Sequence, residues 1–330
     1  MKPLAALLVA AAGIAASADE RRLELVTRDV YLMGTRARLA AFAPARDEGL
    51  ATLATALDVL ERTEAELSTW RHSSAVSALN RHPIGAPWRA APSLCRTFHE
   101  VWRWHEETGG AFDPAIGRLL AAWDVHGSGT IPSAETAARA AAASGLGLLA
   151  FERASCTLTK RGDVMVDVGA FGKGDAVDRV EAVIGQGPWL IDLGGQVSVG
   201  GSGPDGGWVV NIAHPQRRDQ PYRTVRLTEG SLSTSGGSER DATVDGIRVS
   251  HIFDPRTGQP AGFEGSVTVW HRSSLAADAL STALFVMGPN VGLRWAESRG
   301  IAALYLIPGR GDTVRAVATR GFTERFSERE

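Results

Sequence analysis

The 330-residue sequence has no long run of like charge, and its formal net charge is only −2 with a pI near 6.5. That balance leaves no electrostatic footprint for nucleic acid or an anionic lipid surface, so neither is expected as a partner. Beyond the first residues no stretch is apolar for long enough to span a bilayer. There is no GxxxxGK[ST] loop, no GxGxxG opening a βαβ unit, no HExxH and no GxSxG. Nucleotide hydrolysis by a P-loop and zinc proteolysis are therefore set aside. Cysteine is scarce. Cys95 and Cys156 are the only two, and both lie in segments that read as buried elements. Two free thiols are expected; an oxidising compartment permits a bridge, but spacing does not show proximity. No histidine or cysteine stands at a spacing read as completing a metal site with them.

What is present is an ordinary globular composition, 44% hydrophobic and 22% charged, sufficient to bury a large core. Met1-Lys2-Pro3, an apolar stretch to Ala16 and then Ala16-Ser17-Ala18 ahead of Asp19 read as a signal peptide over residues 1–18. The expected mature protein is exported and periplasmic, soluble or peripheral to the inner membrane, with no transmembrane segment. It has no cysteine at the cleavage site to carry a lipid. No linker divides residues 19–330, which read as one domain.

Alternating segments on either side of Gly34 predict an opening hairpin, and Leu50, Leu53, Leu57 and Leu60 predict an amphipathic helix over residues 47–67. Ser93 is placed to cap a helix ending at Gly109-Gly110, and residues 133–144 form another closed by Gly145. Strands are expected at 189–201, 208–212, 224–227, 243–253, 265–270, 301–307 and 313–318, with helices at 275–287 and 291–298. Strands and helices mix without strict alternation. The fold class expected is α+β, a single large layered domain of mainly antiparallel sheet with packed helices.

Three stretches carry candidate chemistry. Residues 167–178, DVGAFGKGDAVD, follow Val164-Met165-Val166 and lead into the helical pattern Ala176, Val177, Val180, Val183 and Ile184. A strand, a glycine turn and a helix are read there. Gly169, Gly172 and Gly174 let backbone amides and a helix N-terminus approach a phosphate, and Lys173 adds an ammonium. A connection whose glycines only relieve strain fits the same residues. In residues 276–288, AADALSTALFVMG, Asp278, Ser281 and Thr282 share one helix face as hard oxygen donors suited to Mg²⁺. The alternative gives Asp278 to the helix dipole and the hydroxyls to backbone carbonyls. In residues 250–260, SHIFDPRTGQP, His251 is either a proton acceptor or a hydrogen-bonded structural residue. Thr234-Ser235-Gly236-Gly237 reads as a polar glycine turn, for a phosphate or ribose or simply for a hairpin.

In order, MGT at 33–35, LSTWRHSSAVSALN at 67–80, TGGAFDP at 108–114, DVGAFGKGDAVD, DLGG at 192–195, TSG at 234–236, HIFDPRTG at 251–258 and ADALSTALFVMG at 277–288 resemble the FAD:protein FMN transferase family, the ApbE-type flavin transferases. The resemblance implies a T-fold-related domain over residues 19–330. It also implies an enzyme that moves FMN from FAD onto a threonine or serine of an exported or membrane-bound redox protein, releasing AMP. By the same resemblance Met33, Trp70, Ala111, Phe112, Asp113, Asp167, Lys173 and Ile252 contact FAD. The carbonyl of Ala170, Asp278 and Thr282, with Ser281 adjacent, hold Mg²⁺, and Lys173, Asp278 and His251 are the catalytic candidates. Gly172, Gln196, Ser238 and Trp70 depart from the residues common in the family, and none of these removes a metal ligand. Two rivals share the site: an FAD diphosphatase using water, and an exported flavin-binding protein without turnover. Intact Asp278, Thr282 and Lys173 count against the second.

Overall fold

The computed structural model describes residues 23–201, 203, 206–237, 241–244 and 246–327; the leader expected at 1–18 and the departure at Ser238 lie outside them. Eight strands build one sheet whose order in space is their order in the chain. They are β1 (Glu24–Leu32), β2 (Thr35–Ala43), β3 (Trp189–Leu193), β4 (Gln196–Gly200), β5 (Gly230–Gly236), β6 (Ser266–His271), β7 (Ala302–Pro308) and β8 (Val314–Ala318). Every neighbouring pair is antiparallel. Between β2 and β3 the chain inserts α1 (Arg46–Leu67), α2 (Ala75–Arg81), α3 (Pro92–Glu107), α4 (Gly117–Ala122), α5 (Ala134–Ala142) and α6 (Gly172–Ile184). A long helix, α7 (Ser274–Ser298), joins β6 to β7, and α8 (Arg320–Arg325) follows β8. The α+β architecture of antiparallel sheet and packed helices is therefore as expected. No helix among the described residues is long and apolar enough to cross a membrane.

Alternation along each strand sends successive side chains to opposite faces. In β7, Ala303 and Tyr305 join the core under α7, whereas Ala302, Leu304 and Leu306 join Trp208, Val210, Val225, Leu227 and Phe322 on the other face. That second face is covered by the hairpin of Trp208–Ala213 and Pro221–Leu227 and by α8. Both faces are buried, so the strand reads as a continuous apolar run.

Five local expectations change. The single strand expected at 243–253 is instead two short antiparallel strands, Ala242–Val244 and Ile247–Val249, with Phe253–Asp254 separate. Val164 to Val166 make no strand: this segment runs extended, with the Val166 N–H and C=O both bonded at 2.8 Å to the Asn80 side-chain amide. Residues 234–236 belong to β5, a central strand rich in hydroxyls that all find partners, Thr234 with Thr268 and Ser235 with Ser281 at 2.9 Å each. Ser93 is not a cap, because α3 starts at Pro92 and the Ser93 hydroxyl donates 2.6 Å to Glu66. Cys95 and Cys156 are joined in a disulfide, not free, with Cα atoms 5.6 Å apart. The turn before Thr157–Lys160 folds back over α3, and the Ala90 N–H donates 2.9 Å to the Cys156 carbonyl.

The backbone contact that shapes the site is the crossing of α6 and α7. A Cβ on Gly174 would lie 2.3 Å from the Ser274 carbonyl oxygen and 2.6 Å from the Leu275 Cα. Only glycine lets the two backbones meet there. Asp178 then locks the crossing: its carboxylate accepts from the Ser273 hydroxyl at 2.7 Å and from the N–H groups of Ser274 and Leu275 at 2.5 and 3.1 Å. These are the unsatisfied first N–H groups of α7, so an acid on one helix caps the other. The Gly174→Ala variant should lose about 1–3 kcal/mol of stability, the range for overpacking, measured by chemical denaturation. A variant as stable as the parent would show that the helices separate freely and that the crossing is not tight.

Candidate active site

The turn between Val164 and α6 is held from several sides without a strand ladder. Asn80 bridges Val166, and the Asp167 N–H donates 2.8 Å to the Pro114 carbonyl. The Asp167 carboxylate accepts from the Gly169 N–H at 2.8 Å, closing an Asx turn that aims the next residues toward α6. Its other oxygen lies 3.5 Å from His126 Nε2.

From α6, Lys173 Nζ donates 3.2 Å to the Gly169 carbonyl and sits 3.4 and 3.5 Å from the two Asp278 oxygens. From α7, Asp278 accepts a 3.1 Å hydrogen bond from the Gly174 N–H. Asp278 is only 3% exposed, so its charge is held by one ammonium and one helix N-terminus rather than by water. Asp278 thus does serve a helix dipole, but that of α6 and not of its own helix.

A cavity of about 440 Å³ opens against this junction. Ala111, Asp113, Asp167, Ala170, Lys173, His251, Ile252, Asp278 and Thr282 all line it, so nine of the thirteen residues named as flavin, metal or catalytic contacts come together, beside Gly169 and Thr234 to Gly236. Four do not line it. Phe112 is fully buried in the main core. Ser281 is fully buried, its hydroxyl 2.9 Å from Ser235, 3.3 Å from Ser233 and 3.0 Å from the Asp278 carbonyl. Met33 sits at the tip of the first hairpin with φ 51°, its N–H held 2.9 Å from Glu64. Trp70 is 74% exposed and meets His126 edge-on, with ring centroids 5.1 Å apart, at the cavity margin.

His251 is oriented by a partner that the sequence did not reveal. Its Nδ1 lies 2.8 Å from Asp241 Oδ1, and its backbone N–H donates 3.1 Å to the same oxygen. Arg248 Nε donates 2.7 Å to the other Asp241 oxygen. Burial opposes the Asp241 charge, but these hydrogen bonds outweigh it and hold the carboxyl below its ordinary pKa. An ionised carboxylate only accepts, so Nδ1 must carry the hydrogen, which in the neutral imidazole makes Nε2 the acceptor. Asp113 is different. Burial raises its pKa, and its oxygens already accept from the N–H groups of Ala115 at 2.8 Å and Leu146 at 2.9 Å. Its carboxylate therefore shapes the cavity wall. Gln196 is fully buried behind the site, donating to the Ser231 hydroxyl at 2.5 Å and the Ser274 carbonyl at 3.2 Å.

Sequence reasoning missed four contributors: Tyr31 and Arg36 beside the hairpin tip, His126, and Asp241. Tyr31 and Arg36 are paired across the β1–β2 hairpin, and His126 and Asp241 reach the site from separate segments of the chain that meet only in space. Asn80 was within a motif singled out above, and only the structure shows that its amide substitutes for a strand partner.

The model of the ApbE family matches residues 33–305. A protein of Vibrio cholerae serotype O1 named FAD:protein FMN transferase is 30% identical over 267 residues, covering 78% of this chain and 79% of its own. Among solved structures, the apo form of Pseudomonas stutzeri flavinyl transferase ApbE superposes with a TM-score of 0.79 at 29% identity, covering 92% of this chain and 98% of that one. The ApbE protein of Thermotoga maritima gives 0.84 at 25% identity, covering 92% and 100%. With the family model spanning residues 33–305 and the fold shared over 92% of the chain, this protein belongs to the ApbE family.

Proposed function

We propose that this protein transfers FMN from FAD to a threonine or serine hydroxyl of an acceptor protein through a phosphoester bond, with Mg²⁺ and with release of AMP. The names of its relatives support the transfer. The observation that carries it is the convergence of Asp278, Lys173 and the α6 N-terminus on one cavity wall, where a diphosphate would find cationic and N–H partners. An exported site of action rests on the signal-like segment at residues 1–18.

The donor set fits Mg²⁺. Ala170, Asp278 and Thr282 line one cavity and offer a carbonyl, a carboxylate and a hydroxyl, the hard oxygens this ion prefers beside water and phosphate. When bound, Mg²⁺ would neutralise diphosphate charge and polarise the phosphorus under attack. The protein's own groups do the rest. Lys173 faces the charge that grows on the departing phosphate. Asp241 fixes His251 with Nε2 bare, ready to take the proton of the acceptor hydroxyl. The hydroxyl oxygen bonds to the FMN phosphorus, the phosphorus–oxygen bond to AMP breaks, and AMP leaves with that electron pair.

Three outcomes are expected. Co-production with an acceptor domain should give a covalently flavinylated band, visible by in-gel fluorescence. If both proteins are folded and no flavin is attached, the transferase reading fails. Asp278→Ala and the shape-preserving Asp278→Asn should each lower transfer by about 10²-fold or more, as for other electrostatic stabilisers. Near-parental turnover in a folded Asp278→Asn protein would remove the carboxylate from the chemistry. His251→Ala and Asp241→Asn should each lower the transfer rate by roughly 10²–10⁴-fold while FAD affinity, measured by fluorescence titration, stays within about threefold. Loss of FAD binding with an unchanged rate at saturation would make both residues structural.

A further inference from the structure

Away from the cavity, three groups with metal-ligand chemistry meet at the disulfide. Cys95 and His99 stand one helical turn apart on α3 and so share a face. Cys156 reaches them from the turn between the strands Leu149–Glu152 and Thr157–Lys160. One ligand atom from each residue lies within 4.8 Å of the other two. The sequence reading passed over this partner, because His99 answers to the first cysteine through helix geometry and to the second only through the fold.

We propose that Cys95, Cys156 and His99 form a redox-gated site for a thiophilic divalent cation of the Zn²⁺ class, closed by the disulfide and opened by reduction. Two thiolates and an imidazole are the soft and borderline donors that select Zn²⁺ over Mg²⁺, which separates this site from the oxygen donors around Asp278. A tetrahedral ion with bonds of about 2.3 Å to sulfur needs the two sulfurs only roughly 3.8 Å apart. With the Cα atoms already 5.6 Å apart, side-chain rotation supplies that separation without moving α3. The site is graded from inside to outside. Cys95 is buried, while His99 and Cys156 are half-buried, leaving a route for the ion from solvent. Phe151 packs edge-on against the His99 ring at 5.2 Å between centroids and restrains its orientation. Cys156 has φ 54°, a left-handed turn conformation that carries its side chain back toward α3. Three protein ligands leave a fourth position for water.

The two states interconvert by balanced steps. A dithiol reductant passes two electrons and two protons to the disulfide, giving two thiols and the oxidised reductant. Binding of the cation then displaces both thiol protons and forms two metal–sulfur bonds. In either state α3 stays fastened to the small sheet that carries Cys156.

The test uses the full mature chain, reduced with a phosphine, desalted without oxygen and titrated with Co²⁺ in excess Mg²⁺. Only thiolate ligation gives the intense sulfur-to-cobalt charge-transfer absorption, so an ion at Asp278 does not register. The expected result is a band that saturates at one equivalent and is displaced by Zn²⁺. It should be absent from the oxidised protein, which is the folded control, and weakened by at least about tenfold in affinity for His99→Ala. Absence of the band from reduced protein, or an unchanged affinity in folded His99→Ala, would overturn the proposal.

Discussion

Two carboxylates exchanged between two helices hold the candidate active site together. Asp178, on α6, accepts from the first N–H groups of α7, and Asp278, on α7, accepts from the Gly174 N–H in the first turn of α6. Each helix begins with donors its own turn leaves unsatisfied, and each is completed by an acid from its neighbour. The exchange works only because Gly174 brings the backbones into contact. One result is that Asp278 cannot drift: the residue that faces the cavity is also a cap, with its position set by the same contact that fixes Lys173.

The rest of the helical layer braces that junction. Arg179, on α6, donates 2.5 Å to Glu66 of α1 and 3.0 Å from Nη2 to the Thr97 hydroxyl of α3, and its Nε lies 2.8 Å from Asp175 as an ion pair. Burial raises the Asp175 pKa and the Arg179 charge opposes that rise, so the pair is useful only as a pair. Three helices are thereby tied at one point, on the same helix that carries Lys173. The β1–β2 tip, which packs against the start of α6, is pinned through the Met33 N–H to Glu64 of α1. The cavity walls thus come from a rigid helical layer and a braced hairpin, which suits a reaction governed by positioning and charge rather than by a complex set of proton transfers.

Much of this was readable in the chain because it is local. The hairpin around Gly34, the leucine face of α1, the glycine turn before α6 and the Asp278 face of α7 all follow from short-range spacing and turn chemistry. What was not readable depends on segments meeting in space. β5 carries Ser231, Ser233 and Ser235 into the middle of the sheet, against the usual preference for apolar residues, because β4 and α7 present matching hydroxyls. Val164 to Val166 look like a strand but take their hydrogen bonds from Asn80 instead. Asp241 and His251 meet through the loop that joins β5 to β6, and Cys95 meets Cys156 across α3 and a hairpin turn. Composition signals none of these encounters.

The account is tested most directly by crystals of the protein soaked with FAD and Mn²⁺, an anomalous scatterer standing in for Mg²⁺. It predicts one strong anomalous peak within about 2.5 Å of the Asp278 carboxylate and the Thr282 hydroxyl, with diphosphate density against the Lys173 turn. A peak elsewhere, with the dinucleotide bound away from that turn, would contradict it.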